Sequence, residues 1–161
     1  MEQTLKQHGY LARAAGMEPG VLRDVLLVLG GSLLIALTAQ IEIMLPTGVP
    51  ITGQTFGVLL VAAVLGSRRG TAAVLAYLAE GAMGAPVFAG GGAGIATFVG
   101  PTAGYLVGFV VAAWVVGTLS ERGWDRRPIT TIVIMLLGNL AIYACGVVWL
   151  SRFTGWDAVL A

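Results

Sequence analysis

Forty consecutive residues, Gly81 to Ser120, contain no Asp, Glu, Lys or Arg. Further charge-free runs of 17 residues (between Asp24 and Glu42), 25 (between Glu42 and Arg68) and 24 (Pro128 to Ser151) surround that stretch. A helix crossing a bilayer needs about 20 mostly apolar residues. Lipid offers no partner for backbone polar groups, so only helices and closed barrels cross it. Barrel strands alternate apolar and polar residues with period two. The stretches VVAAWVVG (110–117) and TIVIMLLG (131–138) show no such alternation. The pattern therefore predicts an all-α chain, a polytopic membrane helical bundle.

Composition narrows the function classes. Only 11% of the residues are charged and the formal net charge is +1, which excludes a nucleic-acid binder working through a basic face. Cys145 is the single cysteine, so there is no disulfide framework and no CxxC site. His8 is the single histidine, which leaves no cluster for a metal. No nucleophile–base–acid set, HExxH or nucleotide-binding loop is present. Neither an enzyme nor a bound cofactor is expected.

Five hydrophobic segments are expected, at about 25–45, 54–66, 70–84, 101–119 and 129–150. Pro46, Gly48 and Pro50 stop the first, because proline lacks a donor and disfavours helix before itself. Arg68 and Arg69 are expected to turn the chain between the second and third. Eight of the nine cations (Lys6, Arg13, Arg23, Arg68, Arg69, Arg122, Arg126 and Arg127) fall on one side of this arrangement. The positive-inside rule makes that side cytoplasmic. Residues 1–22 then form a cytoplasmic N-terminal tail and 23–161 the transmembrane domain. Five spans leave the apolar ending Ala158-Val159-Leu160-Ala161 on the outer side, where it resembles the onset of a sixth helix.

Small residues four apart let helices approach closely in lipid. Gly104, Gly108 and Ala112 are expected to pack inside the bundle. Ser32 and Ala36 suit either that role or docking to a membrane partner. The tract Ala89–Gly94 is too glycine-rich for helix. Its apolar flanks, Val87-Phe88 and Ile95-Ala96-Thr97-Phe98, suggest a loop folded back on the bundle, as a lid or as backbone close to a ligand. Polar residues within the apolar segments are functional candidates, because burying them in lipid is costly. Glu42 lies near the outer end of its segment, where solvation is expected. Glu80 is open to capping, to pairing with a neighbouring helix or to facing a ligand. Asn139 suits an interhelical hydrogen bond or a ligand contact equally well.

Several linked motifs resemble the BioY family, the biotin-specific substrate-binding (S) components of energy-coupling factor (ECF) transporters. They are VPITGQTFGVL (49–59), GSRRG (66–70), YLAEGAMGAPVFAGG (77–91) and GPTAGYLVGF (100–109). The resemblance is dense over about 45–110. It implies a six-helix bundle in the cell membrane of a bacterium, with a biotin site near the outer face. It also implies partners, a transmembrane coupling protein and two ATPase subunits, and docking through small residues of the first helix, here Ser32 and Ala36. The family's proline-glycine-aspartate signature with a following lysine has no counterpart up to Ala161, and no carboxylate-holding cation is visible in the glycine tract. An apolar pocket with a few placed polar groups suits biotin. The expected lining is Thr52, Gln54, Gly91, Tyr105 and Asn139, followed by Tyr143 and Glu80. Gln54 and Asn139 can each donate and accept, which matches a ureido group. The alternatives are an S component for another vitamin and a truncated, non-transporting membrane paralogue.

Overall fold

A computed structural model describes residues 20–43 and 51–154. Residues 1–19, 44–50 and 155–161 lie outside the described residues, and with them most of the expected cytoplasmic tail, the stop at Pro46, Gly48 and Pro50, and the expected onset of a sixth helix at Ala158–Ala161. Four helices carry the fold: α1 (Val21–Ala39), α2 (Gln54–Ala82), α3 (Ala103–Glu121) and α4 (Pro128–Thr154). α1, α3 and α4 are each long and apolar enough to cross a membrane. Consecutive helices are neighbours, and α3 is the most enclosed, with 56% of its apolar window buried against 22% for α1 and for α4.

The expected second and third segments are two helical arms that meet at a single non-helical residue. Gly66 has φ 80° and ψ −178°, outside the helical region. The break therefore falls at Gly66, while Arg68 and Arg69, expected to form the turn, are helical. A Cβ on Gly70 would stand 2.8 Å from the Cα of Ala62. In a straight helix those residues are about 12 Å apart along the axis, so α2 is folded back into two arms, 54–65 and 67–82. Only glycine adopts this positive φ without strain.

The elbow has its own cap. Glu121, at the end of α3, accepts the backbone N–H of Ser67 at 2.7 Å and the Ser67 hydroxyl at 2.9 and 3.0 Å. A carboxylate at the first turn of the second arm satisfies an orphan donor and complements the helix dipole. Gly117, one turn earlier on α3, presses against the Gly66–Ser67 backbone. At the same end Arg69 pairs with Asp24 of α1 at 3.0 Å. These contacts gather the arginines of the first three helices at one end of the bundle.

Glycine contacts set the helix spacing. Gly31 of α1 faces Ala73 and Val61, one from each arm of α2, at 2.9 and 3.0 Å from its Cβ position. Gly108 lies against the backbone of Ile142, with a 2.8 Å approach to its Cα, and Gly104 against Cys145 and Trp149. The Gly104–Gly108–Ala112 stripe thus packs inside the bundle, as its spacing suggested. In lipid this contact matters more than apolar burial, because hydrocarbon surrounds the helices as readily as leucine does.

The all-helical reading has one small exception. Helix α1 ends at Ala39, six residues before the expected Leu45, and Glu42–Ile43 (β1) pairs antiparallel with Ile51–Thr52 (β2), Glu42 opposite Thr52. The Gly53 N–H, donating to the Ile41 carbonyl at 2.8 Å, closes this ribbon against the start of α2.

Gly66→Ala would place a side chain at positive φ and a Cβ 2.5 Å from Glu121 Oε1. It is expected to lower stability by about 1–3 kcal/mol. Glu121→Ala is expected to cost about 1–2 kcal/mol through loss of the cap. The double variant should lose less than the sum, because the two share one contact. Thermal unfolding in detergent checks all three; an unchanged Tm for Gly66→Ala would contradict the elbow.

Candidate functional site

The first arm of α2 is short, and that leaves room for a site. Its 12 residues, 54–65, rise roughly 18 Å. The space above it is filled by the ribbon and by the connection from α2 to α3. That connection folds inward around Phe88, which is 3% exposed. Its ring meets Tyr77 and Phe98 edge-on, with centroids 5.5 and 5.8 Å away. Gly81 makes this possible, because any side chain there would occupy the position of the Phe88 ring. The loop is also tied by polar groups. Gln40 Nε2 donates to the carbonyls of Val87 and Phe88 at 3.3 and 3.2 Å, and Tyr77 Oη donates to Val87 at 3.2 Å. The Gly94 N–H donates to the Gly81 carbonyl at 2.7 Å.

Beneath this loop lies a cavity of about 840 Å³. The ribbon, the first arm of α2, the folded-back loop, the start of α3 and the middle of α4 all contribute to its wall. Apolar side chains dominate, among them Leu59, Phe88, Leu106, Phe109 and Met135. On α4, Gly146 leaves space for the Tyr105 ring, which meets Tyr143 edge-on at 6.1 Å.

Five of the expected ligand residues converge here: Thr52, Gln54, Tyr105, Asn139 and Tyr143. Two are placed elsewhere. Glu80 is held across the helix interface, accepting the Ser32 hydroxyl at 2.6 Å, so of its three open roles the structure shows pairing with a neighbouring helix. Gly91 is exposed and turned outward, and its neighbours Gly90 and Gly92 line the cavity instead. The expected docking residues also face inward. Ser32 is fully buried and Ala36 is 8% exposed, so neither presents an outer face on α1; that face consists of Leu22, Leu26, Leu29, Leu33 and Leu37.

The polar atoms are sparse and specific. Gln54 is 5% exposed and its Nε2 has no hydrogen-bond partner. A buried amide donor left unpaired costs about 1–3 kcal/mol, so it marks a place where a partner is wanted. Asn139 Nδ2 donates to the Met135 carbonyl of its own helix at 2.9 Å, not to another helix. Its amide oxygen is left as the acceptor.

Sequence reasoning missed Thr55, Thr97 and Thr102 as lining residues, and it placed Glu42 in solvent. Glu42 carries the only formal charge in the cavity wall among the described residues. The N-terminal turns of α2 and α3 open on the same space through Gln54, Thr55 and Thr102, and supply partial positive charge. No metal-binding group of His, Cys, Asp and Glu occurs among the described residues.

Gly81→Ala is expected to expel the Phe88 ring and free residues 87–92, at a cost of about 1–3 kcal/mol. Hydrogen exchange should then rise at the Gly92 and Gly94 amides. Unchanged protection there would show that Phe88 does not anchor the loop.

Residues 4–161 match the BioY family. Over 139 residues the chain is 45% identical to a biotin transporter BioY of Rhodobacter capsulatus, covering 83% of this chain and 73% of that protein. It is 39% identical over 149 residues to biotin transporter BioY2 of Lactococcus lactis, 90% of this chain and 79% of the relative. A probable biotin transporter BioY of Pyrococcus horikoshii is 41% identical over 129 residues, 78% and 75% of the two chains. A crystal structure of the S-component for biotin from an ECF-type ABC transporter superposes with a TM-score of 0.76 at 24% identity, over 86% of this chain and 78% of the other. That likeness speaks to the fold. With its site assembled above four apolar helices, the chain belongs to the BioY family.

Proposed function

We propose that this chain takes up biotin, as the membrane-embedded binding subunit of an ECF-type transporter. The observation that carries the reading is the unpartnered Gln54 Nε2 in the wall of an otherwise apolar cavity. Biotin combines an apolar ring and chain with a ureido group and a carboxylate. The ureido carbonyl is the acceptor that Gln54 Nε2 lacks. The Asn139 amide oxygen is an acceptor for an N–H. The apolar wall receives the ring and chain, and the size of the cavity is ordinary for a small-ligand site. The N-terminal turns of α2 and α3 favour an anion without a cationic side chain, at about 0.3–1 kcal/mol each.

The ligand enters from outside. The cationic end carrying Arg23, Arg69 and Arg122 lies in the cytoplasm of a bacterial cell, with the N-terminus on the same side. Energy for release comes from partner subunits, a transmembrane coupling protein and two ATPases. The chain acts as a transporter component and not as an enzyme.

Titration calorimetry of the purified chain tests the ligand. Biotin is expected to give saturable heat, and riboflavin and thiamine none; heat only from another vitamin would overturn the assignment. Gln54→Ala is expected to weaken biotin binding about 10- to 100-fold through loss of one buried hydrogen bond. Equal affinity in that variant would remove Gln54 from the site. Co-purification with coupling protein and ATPases tests the partners.

A further inference from the structure

We infer that Glu42 sets which way round the ligand sits: its carboxylate accepts an N–H of the ureido head at the outer mouth, and its charge keeps the ligand's own carboxylate at the other end. This rests on the biotin reading above.

Four observations lead there. Glu42 lines the cavity and is only half-buried, so its carboxylate is open to a ligand in that space. It makes no hydrogen bond and no ion pair among the described residues; Asp24 takes both ion pairs found there. Its direction is set by the ribbon, where it stands opposite Thr52, two residues before Gln54. On the other side it meets the folded-back loop, where a Cβ on Gly90 would lie 3.0 Å from Oε1. Gly90 has φ 63° and needs no side chain, so the glycine leaves the carboxylate its place.

The cavity wall therefore holds both a carboxylate and an unpaired amide donor. A ureido group presents a carbonyl and an N–H side by side, which is the complementary pair. The carbonyl accepts from Gln54 Nε2, and the N–H donates to Glu42 in a charge-assisted bond, stronger than a neutral one. The opposite placement would set the ligand's carboxylate against Glu42, with no cationic side chain among the lining residues to offset the repulsion.

The test compares the full-length chain with Glu42→Gln by calorimetry, using biotin, biotin methyl ester and 2-iminobiotin, whose protonated head is a guanidinium. Glu42→Gln is expected to weaken biotin and its methyl ester by the same factor, about tenfold. It should weaken protonated 2-iminobiotin by more, because a cation loses its counter-charge. A merely structural role would move all three alike. Three results overturn the inference: unchanged affinities; equal losses for all three ligands; or tighter biotin with an unaltered ester, which would put the carboxylate beside Glu42. Glu42→Asp keeps the charge on a shorter reach and should fall between; it serves as the second variant if Glu42→Gln unfolds. Absence of biotin binding in the unaltered chain would overturn the biotin reading itself, before any variant is compared.

Discussion

Close approach of backbone to backbone at Gly66 underlies the rest of the structure. The chain reverses at the arginine-bearing end of the bundle, where the first N–H of the second arm has no intrahelical acceptor. Glycine permits the reversal, and the Glu121 carboxylate then supplies the acceptor that the first turn of the second arm lacks. Gly117 seats α3 against the same point. One residue without a side chain thus fixes the angle between the arms, the position of α3 and, through α3, that of α4. The site inherits its geometry from this elbow, because the height at which Gln54 stands depends on where the first arm ends, at Gly66.

The cavity follows a related economy. Its wall is built from side chains that the bundle would bury anyway, and few polar atoms are left over. Those few are placed by local devices: Gln54 by the start of a helix, Glu42 and Thr52 by a four-residue ribbon, Phe88 by the space that Gly81 leaves. Gln40 and Tyr77 consume the carbonyls that the folded-back loop would otherwise leave bare. Gln54 Nε2 is the buried unpaired donor that lies in the cavity wall, where a ligand would meet it.

Much of this was legible in the sequence. Charge-free runs gave the helical bundle, the motifs singled out Gln54 and Tyr105, and Asn139 stood out as a polar residue in an apolar segment; all three line the cavity. The misses share one cause, dependence on contacts remote in sequence. Arg68 and Arg69 drew the expected turn toward themselves, but charges mark the edge of the apolar layer, and the backbone break belongs to Gly66. Ser32 and Ala36 have the spacing of a docking face; that spacing is the same on an inward face, and only Glu80, 48 residues away, decides between them. Glu42 reads as a solvated residue until its strand is paired with Thr52.

The twelve-residue arm has a consequence for the surrounding lipid. Phe56 and Val64 on that arm are 65% and 43% exposed, so the arm forms part of the outer wall. Its apolar height is roughly 18 Å, well short of a hydrocarbon layer about 30 Å thick, whereas α4 on the other flank is long enough to cross in full. The bilayer therefore meets a perimeter of unequal height. It must thin on the low side or let the bundle lean, at a cost of a fraction of a kcal/mol per Å of mismatch. Membrane thickness thus enters the energetics of the fold as an elastic load applied to one side.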